Sequence, residues 1–235
     1  DKLQKLINKP TYKRHVIFNP DLAGIESQKV KTTLNKPIYV GMSILDLAKH
    51  LMYDFYYNHL KRRHNIKLLY TDTDSLIIQV FTDDLFEDIR ENIELYDTSN
   101  YAKDHPCYSE KNKKVVGKFK DELGGKIMTE FVGIRSKVYS YTGEASGKRA
   151  KGVNKSVLKK TINHDDYRIC LLDQRVFHRE MTNLRSHRHR IYSETTNKVT
   201  LCPLDTKRFI TSDGIMTLAY GYVDIPQHAL HRKNG

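Results

Sequence analysis

A chain of 235 residues is long enough for one large domain or two small ones with a proper core. With a formal net charge of +12, a pI of about 9.4, 39% hydrophobic and 29% charged residues, it reads poorly as an enzyme of small metabolites. It reads better as the partner of a polyanion, of which nucleic acid is the commonest, the alternative being a surface kept soluble by lysines. Cys107, Cys170 and Cys202 are far apart and form no Cys-x-x-Cys pair, which argues against a disulfide framework or a cysteine zinc site and fits a reducing compartment; no apolar run of about 18 residues occurs, and neither a membrane span nor a signal peptide is expected.

In chain order, the first residue is Asp1 rather than Met, and Asp1-Lys2-Leu3-Gln4-Lys5-Leu6 reads like the inside of an element, so the expectation is a fragment. Residues 1–36, punctuated by Pro10, Pro20 and Gly24, predict short strands and loops. Ser43 is placed to cap a helix, with Asp46 three residues on. Ile44, Leu47, Ala48, Leu51, Met52 and Phe55 recur at helical spacing and predict one apolar face, ending near 58–63. Residues 67–70 and 76–81 predict a β-hairpin, followed by a short helix over 83–95 and a polar loop through Pro106. Residues 115–119, 126–131 and 136–141 predict antiparallel strands, the first two joined at Gly124-Gly125 and the third ended by Thr142-Gly143. A helix is expected from Asn163, with Asp165 and Asp166 in its first turn and Tyr167, Cys170, Leu171 and Leu172 inward. Residues 198–222 predict two or three short strands, with turns at 203–205 and 213–214.

The chemistry concentrates in the hairpin turn Tyr70-Thr71-Asp72-Thr73-Asp74-Ser75. In extended backbone, two carboxylates two residues apart share one side of the chain. Held between apolar strands, Asp72 and Asp74 offer the hard oxygens that Mg²⁺ prefers, as in two-metal phosphoryl transfer. A solvated turn is the alternative, because Asp, Thr and Ser are all good turn formers. Downstream, Lys137-Val138-Tyr139 places a lysine and a tyrosine two residues apart on a predicted strand, where they suit contacts to a nucleic-acid backbone.

Tyr-x-Asp-Thr-Asp-Ser between apolar strands resembles motif C of family B DNA polymerases. Lys137-Val138-Tyr139 resembles the Lys-x-Tyr motif that follows it, and Lys148-Arg149-Ala150-Lys151-Gly152-Val153 resembles the basic Lys-Gly segment after that. Asn35-Lys36-Pro37-Ile38-Tyr39-Val40-Gly41, Leu51-Met52-Tyr53-Asp54-Phe55, Gly117-Lys118-Phe119-Lys120-Asp121-Glu122, Thr129-Glu130-Phe131-Val132-Gly133 and Lys207-Arg208-Phe209-Ile210 are similar to the protein-primed branch: Polinton or Maverick transposons, adenovirus-like elements and linear plasmids. Thr71 stands where many members carry Gly.

The resemblance covers roughly residues 1–225 and implies an α+β fold: the last part of a polymerase palm, an antiparallel sheet with a packed helix, over 1–155, then a small thumb and tail over 156–235. It implies that Asp74 binds two Mg²⁺ ions with an aspartate from motif A, that Asp72 supports it, and that Lys137, Tyr139 and Lys151 hold DNA. The implied partners are a DNA primer–template, dNTPs and a terminal priming protein, with no membrane. The Asp-x-x-Ser-Leu-Tyr-Pro type motif A and the Lys-x-x-x-Asn-Ser-x-Tyr-Gly type motif B do not occur in these residues. The expectation is a polymerase part inactive on its own. The alternative is a non-catalytic DNA-binding remnant or co-opted module of a mobile element.

Basic groups support a thumb that tracks phosphates: Lys148, Arg149, Lys151, Lys155, Lys159 and Lys160, then Arg185, Arg188 and Arg190 beside Tyr192. For any one lysine a solvated face is the alternative. His187 and His189 form a His-x-His pair without a partner Cys or acid at useful spacing for zinc. A transposon polymerase would act in the nucleus, although Lys61-Arg62-Arg63 is too short for a localisation signal.

Overall fold

The computed structural model describes residues 2–29, 31, 35–188, 190–204, 208–213, 216–219, 222, 223 and 225. Helices and antiparallel sheets are mixed along the chain, so the fold is α+β. Two compact units emerge: Asp1–Glu122 with Glu180–Lys198, and Leu123–Arg179 with Val199–Gly235. His189, Asp205, Lys207 and Gly214, which the sequence reading uses, lie outside the described residues.

In the first unit, a short helix α1 (Lys2–Ile7) precedes the antiparallel hairpin β1 (Tyr12–Asn19) and β2 (Leu22–Ser27). The long helix α2 (Ile38–Asp54) begins five residues before the expected Ser43 cap. Pro37, at φ −65°, fixes its start, and proline is tolerated there because the first-turn N–H groups lack partners anyway. Ser43 is interior instead, and its hydroxyl donates to the Tyr39 carbonyl at 3.0 Å. The expected apolar face is also corrected. Ile44 and Leu47 are 60% and 70% exposed, and α2 buries no residue at all.

Burial begins where the helix widens into a π-helical segment, Phe55–Leu60, followed by α3 (Lys61–Arg63). In that geometry residues five apart align, so Phe55 and Leu60 both point inward. Phe55 stacks on Phe119 with centroids 3.6 Å apart and meets Tyr96 edge-on at 5.8 Å. Burying a side chain of this size contributes about 2–3 kcal/mol.

The predicted hairpin is present as β3 (Asn65–Thr71) and β4 (Leu76–Phe81), antiparallel, with a bulge at Leu69. Ile66, Leu76 and Ile78 pack against the core formed by Phe55, Leu60, Ile89, Tyr96, Tyr101 and Cys107. Helix α4 (Leu85–Glu91) and a 3₁₀ turn over Ile93–Leu95 fill the predicted helical stretch; Asp84 caps α4 by accepting from the Phe86 N–H at 2.8 Å.

Residues 115–119 are not a strand. Lys114 and Gly117 take φ of 59° and 83°, which breaks any extended run, and only Phe119 bridges, in parallel, to Tyr96. The Asn112 amide donates to the Ile93 and Tyr96 carbonyls, both at 2.9 Å, and pins this loop to α4's exit.

In the second unit, β5 (Met128–Arg135), β6 (Val138–Gly143) and β7 (Gly147–Ala150) form an antiparallel sheet in the order β5-β6-β7. Gly124 and Gly125 do form a turn at positive φ, but they lead into β5 rather than joining it to 115–119. Alternation puts Val132, Val138, Ser140 and Ala150 on the covered face, against α5 (Lys155–Thr161) and α6 (His164–Leu172).

Helix α6 starts as predicted, with a full capping box between Asn163 and Asp166. Tyr167 and Cys170 are fully buried, whereas Leu171 and Leu172 are 39% and 70% exposed, because only one stripe of a nine-residue helix can face the sheet. Two long strands, β8 (Phe177–His187) and β9 (Arg190–Leu201), pair as a ribbon that the sequence does not announce before residue 198; its residues Glu180–Lys198 belong to the first unit. The short hairpin β10 (Arg208–Ile210) and β11 (Thr217–Ala219) matches the strands expected near the end.

Candidate functional site

The four residues Asp72–Ser75 close the β3–β4 hairpin, whose last ladder pair is Thr71 with Leu76. The Asp72 N–H donates to the Ser75 carbonyl at 3.1 Å, and the Asp74 N–H to the Asp72 carbonyl at 2.7 Å. The Ser75 hydroxyl reaches the same Asp72 carbonyl at 3.4 Å. Thr73, between the two aspartates, sits at φ 60°. For a β-branched residue this is a true outlier, costing about 1–3 kcal/mol. The aspartates therefore straddle a sharp bend. The premise of extended backbone, with both carboxylates on one side by alternation, does not hold.

Asp74 is exposed and Asp72 half-buried. Oxygen-only donors at an exposed tip match the chemistry of Mg²⁺ as two of its ligands. Among the described residues, no group of three or more His, Cys, Asp and Glu side chains is placed to hold a metal ion, so the pair is an incomplete set.

Lys137, Tyr139 and Lys151 lie in the second unit. Lys137 is not on a strand. It occupies the two-residue turn between Arg135 and Val138, at φ 60°, with its side chain exposed. Tyr139 is on β6, on the face opposite buried Val138 and Ser140, with its ring 5.8 Å from that of Phe131 and Arg149 as its cross-strand partner. The Lys151 N–H donates to the Lys137 carbonyl at 3.0 Å, so the structure brings these two lysine positions together at one end of the sheet, next to Tyr139. The two aspartates belong to the other unit.

The basic groups divide. The Lys148 ammonium, on the covered face, donates to the carbonyls of Ile162 and Lys159 and so caps the exit of α5. Arg185 pairs with Glu194 at 3.0 Å across the β8–β9 ribbon. Arg149, Lys151, Lys155, Lys159, Lys160, Arg188 and Arg190 are exposed. His187 is exposed at the end of β8.

Two polar clusters escaped the sequence reading because their members are far apart in the chain. Asp88, with a side chain only 3% exposed, receives the Arg63 Nε at 2.7 Å, with His64 Nε2 at 3.2 Å and His59 Nε2 at 3.5 Å. Burial alone would raise its pKa. The Arg63 guanidinium and the two imidazoles more than offset this and hold it below the usual carboxylate range. In the second unit, His164 Nδ1 lies 2.9 Å from the Ser140 hydroxyl, and His164 Nε2 lies 3.5 Å from Glu130, which also pairs with Arg168 at 3.1 Å. This Ser–His–Glu order mimics a nucleophilic triad. Ser140, however, is 2% exposed on the covered face and donates to the Gly147 carbonyl, so the group is a packing network. Cys170 is likewise a core thiol, pushed up to about 11 by burial and by the neighbouring Cys202.

Among the described residues no helix is long and apolar enough to cross a membrane. No protein-family model, no curated protein and no solved structure matches the chain.

Proposed function

We propose that the chain is the C-terminal palm and thumb part of a DNA-directed DNA polymerase of family B, in its protein-primed branch. The observation that carries this reading is the strained, backbone-locked Thr73 between Asp72 and Asp74 at the tip of an apolar hairpin. A solvated turn has no need of a β-branched residue at positive φ. Strain of this kind persists where the surroundings over-determine the backbone, and it clusters at functional sites. The motif order supports the same reading, with Lys137, Tyr139 and Lys151 grouped at one sheet end downstream of the acidic turn.

In this reading Asp74, with Asp72 beside it, supplies carboxylate oxygens to Mg²⁺, and the set is completed by the motif A aspartate that these residues do not contain. When bound, the metal supplies charge neutralisation for phosphoryl transfer. Lys137 offers a point charge to a primer phosphate, Tyr139 a hydroxyl to its backbone, and Lys151 a further phosphate contact. The substrates are a primer–template and dNTPs. The first acceptor is a hydroxyl of a priming protein, and later ones are DNA 3′-hydroxyls.

The test is primer extension by purified residues 1–235, with Mg²⁺, dNTPs and a labelled primer–template, beside the same chain joined to a segment supplying motifs A and B. The joined protein extends and residues 1–235 alone do not. Robust extension by residues 1–235 alone contradicts the reading.

A further inference from the structure

The outer surface of α2 and the π-helical segment after it carries a second feature, independent of the acidic turn. Lys49, Tyr53, Tyr57 and Lys61 follow one another at a spacing of four and form a continuous ladder. The Lys49 ammonium lies 5.8 Å from the Tyr53 ring centre, Tyr53 and Tyr57 lie 6.0 Å apart at 24° to one another, and the Lys61 ammonium lies 5.5 Å from the Tyr57 ring. Tyr53 and Tyr57 are 53% and 50% exposed, so the two rings meet each other and solvent rather than a core. Tyr56 braces Tyr57 edge-on at 4.9 Å. The π-helical turn makes this possible, because it sends Phe55 and Leu60 inward while leaving Tyr57 outside.

Two near-parallel exposed rings bracketed by two ammonium groups have a specific chemical complement: a flexible polyanion that carries flat faces. A duplex keeps its base faces stacked and out of reach, whereas a single strand presents them. The acidic residues nearby do not cancel the positive charge. Lys49, Lys61 and Arg62 stand against Asp46 and Asp54, of which Asp54 accepts from the Asn58 amide at 2.7 Å, while Arg63 is taken up by Asp88 and Glu91. We propose that the Lys49-Tyr53-Tyr57-Lys61 ladder is a stacking platform for single-stranded nucleic acid, with bases on the two tyrosines and phosphates on the lysines. Such platforms bind without strong sequence preference, since every base has a π-face.

The experiment is fluorescence anisotropy of an end-labelled oligothymidylate titrated with the full chain, with a duplex of the same length as competitor. Tyr53→Ala and Tyr57→Ala each weaken oligothymidylate binding about five- to a hundredfold, the range expected for loss of one stacked base. Tyr53→Phe and Tyr57→Phe retain binding. Lys49→Gln and Lys61→Gln each reduce the slope of log affinity against log salt by about 0.7. Should an alanine variant fail to fold, Tyr53→Leu and Tyr57→Leu carry the same expectation, because they keep apolar bulk and lose the ring. Ring-less variants that bind within twofold of the parent overturn the proposal. So does competition by the duplex equal to that of the single strand, or binding of phosphatidylserine vesicles with none of oligothymidylate. Primer extension by the joined protein is a separate readout, so failure here leaves the acidic-turn reading untouched, and the reverse also holds.

Discussion

Thr73, at the tip of β3–β4, and Lys137, at the tip of β5–β6, share a backbone φ of 60°, yet their supports differ. Lys137 is unbranched, and the strand that leaves its turn begins with Val138, 1% exposed in a three-stranded sheet backed by fully buried Tyr167 and Cys170. Thr73 is β-branched and caps a two-stranded hairpin whose core-facing side chains, Ile66, Leu76 and Ile78, are only partly buried. An isolated two-stranded hairpin is marginal in water, so the strained turn draws its stability from the core beneath it. The better-supported turn carries the lesser strain, and the weaker hairpin carries the greater. That is the arrangement expected when the Asp72–Asp74 bend is kept for what it does rather than for what it adds to stability.

The sharpest way to test this contrast is to weaken the interior of each unit. Tyr167→Ala deletes a fully buried ring and the hydroxyl that donates to the Arg149 carbonyl at 2.8 Å. It should cost about 4 kcal/mol in urea unfolding of the second unit. In the first unit Asp88→Ala leaves Arg63 without its buried partner. A loss of about 2–3 kcal/mol is expected, below the figure for a fully buried pair because Arg63 is 41% exposed.

The same carboxylate sets an acid limit. Its folded pKa lies below the ordinary 3.8, so the unfolded chain takes up the proton first. The stabilisation is complete above about pH 4 and is lost as pH falls through the folded value. Melting temperature against pH should therefore fall more steeply in acid for the parent than for Asp88→Ala.

At the turns themselves the effects are smaller and of opposite sign. Thr73→Gly relieves the φ strain and should stabilise by about 1 kcal/mol, while loosening the tip and slowing extension by the joined protein. Lys137→Gly gains less, about 0.5 kcal/mol, because an unbranched residue reaches this region more cheaply. If Thr73→Gly stabilises no more than Lys137→Gly, the contrast fails.

Much of the fold was legible where signals were local. The β3–β4 hairpin, the helical stretch that holds α4, the start of α6 at Asn163 and the inward Tyr167 and Cys170 all followed from local sequence pattern. What failed was whatever depended on partners. The apolar residues of α2 announce a helix correctly, but the pattern does not say what covers them, and Ile44 and Leu47 are exposed. Residues 115–119 have strand-like composition, yet Gly117 and the Asn112 clamp fold them into a loop. The β8–β9 ribbon was hidden by its polar, two-sided exposure, which weakens alternation. At the candidate site, the position of the aspartates on a hairpin tip was readable. The bend at Thr73 and the shift of Lys137 from strand to turn were not, because both are backbone features of a non-glycine residue at positive φ.

A metal-ligand role for Asp74 is tested by single-nucleotide incorporation by the chain joined to a segment supplying motifs A and B, compared with the same protein carrying Asp74→Asn. The substitution keeps size and removes the charge a metal ligand needs. If Asp74 holds the metal, the incorporation rate falls by more than about a hundredfold while the melting temperature is unchanged. Incorporation at near-parent rate by Asp74→Asn would rule that role out.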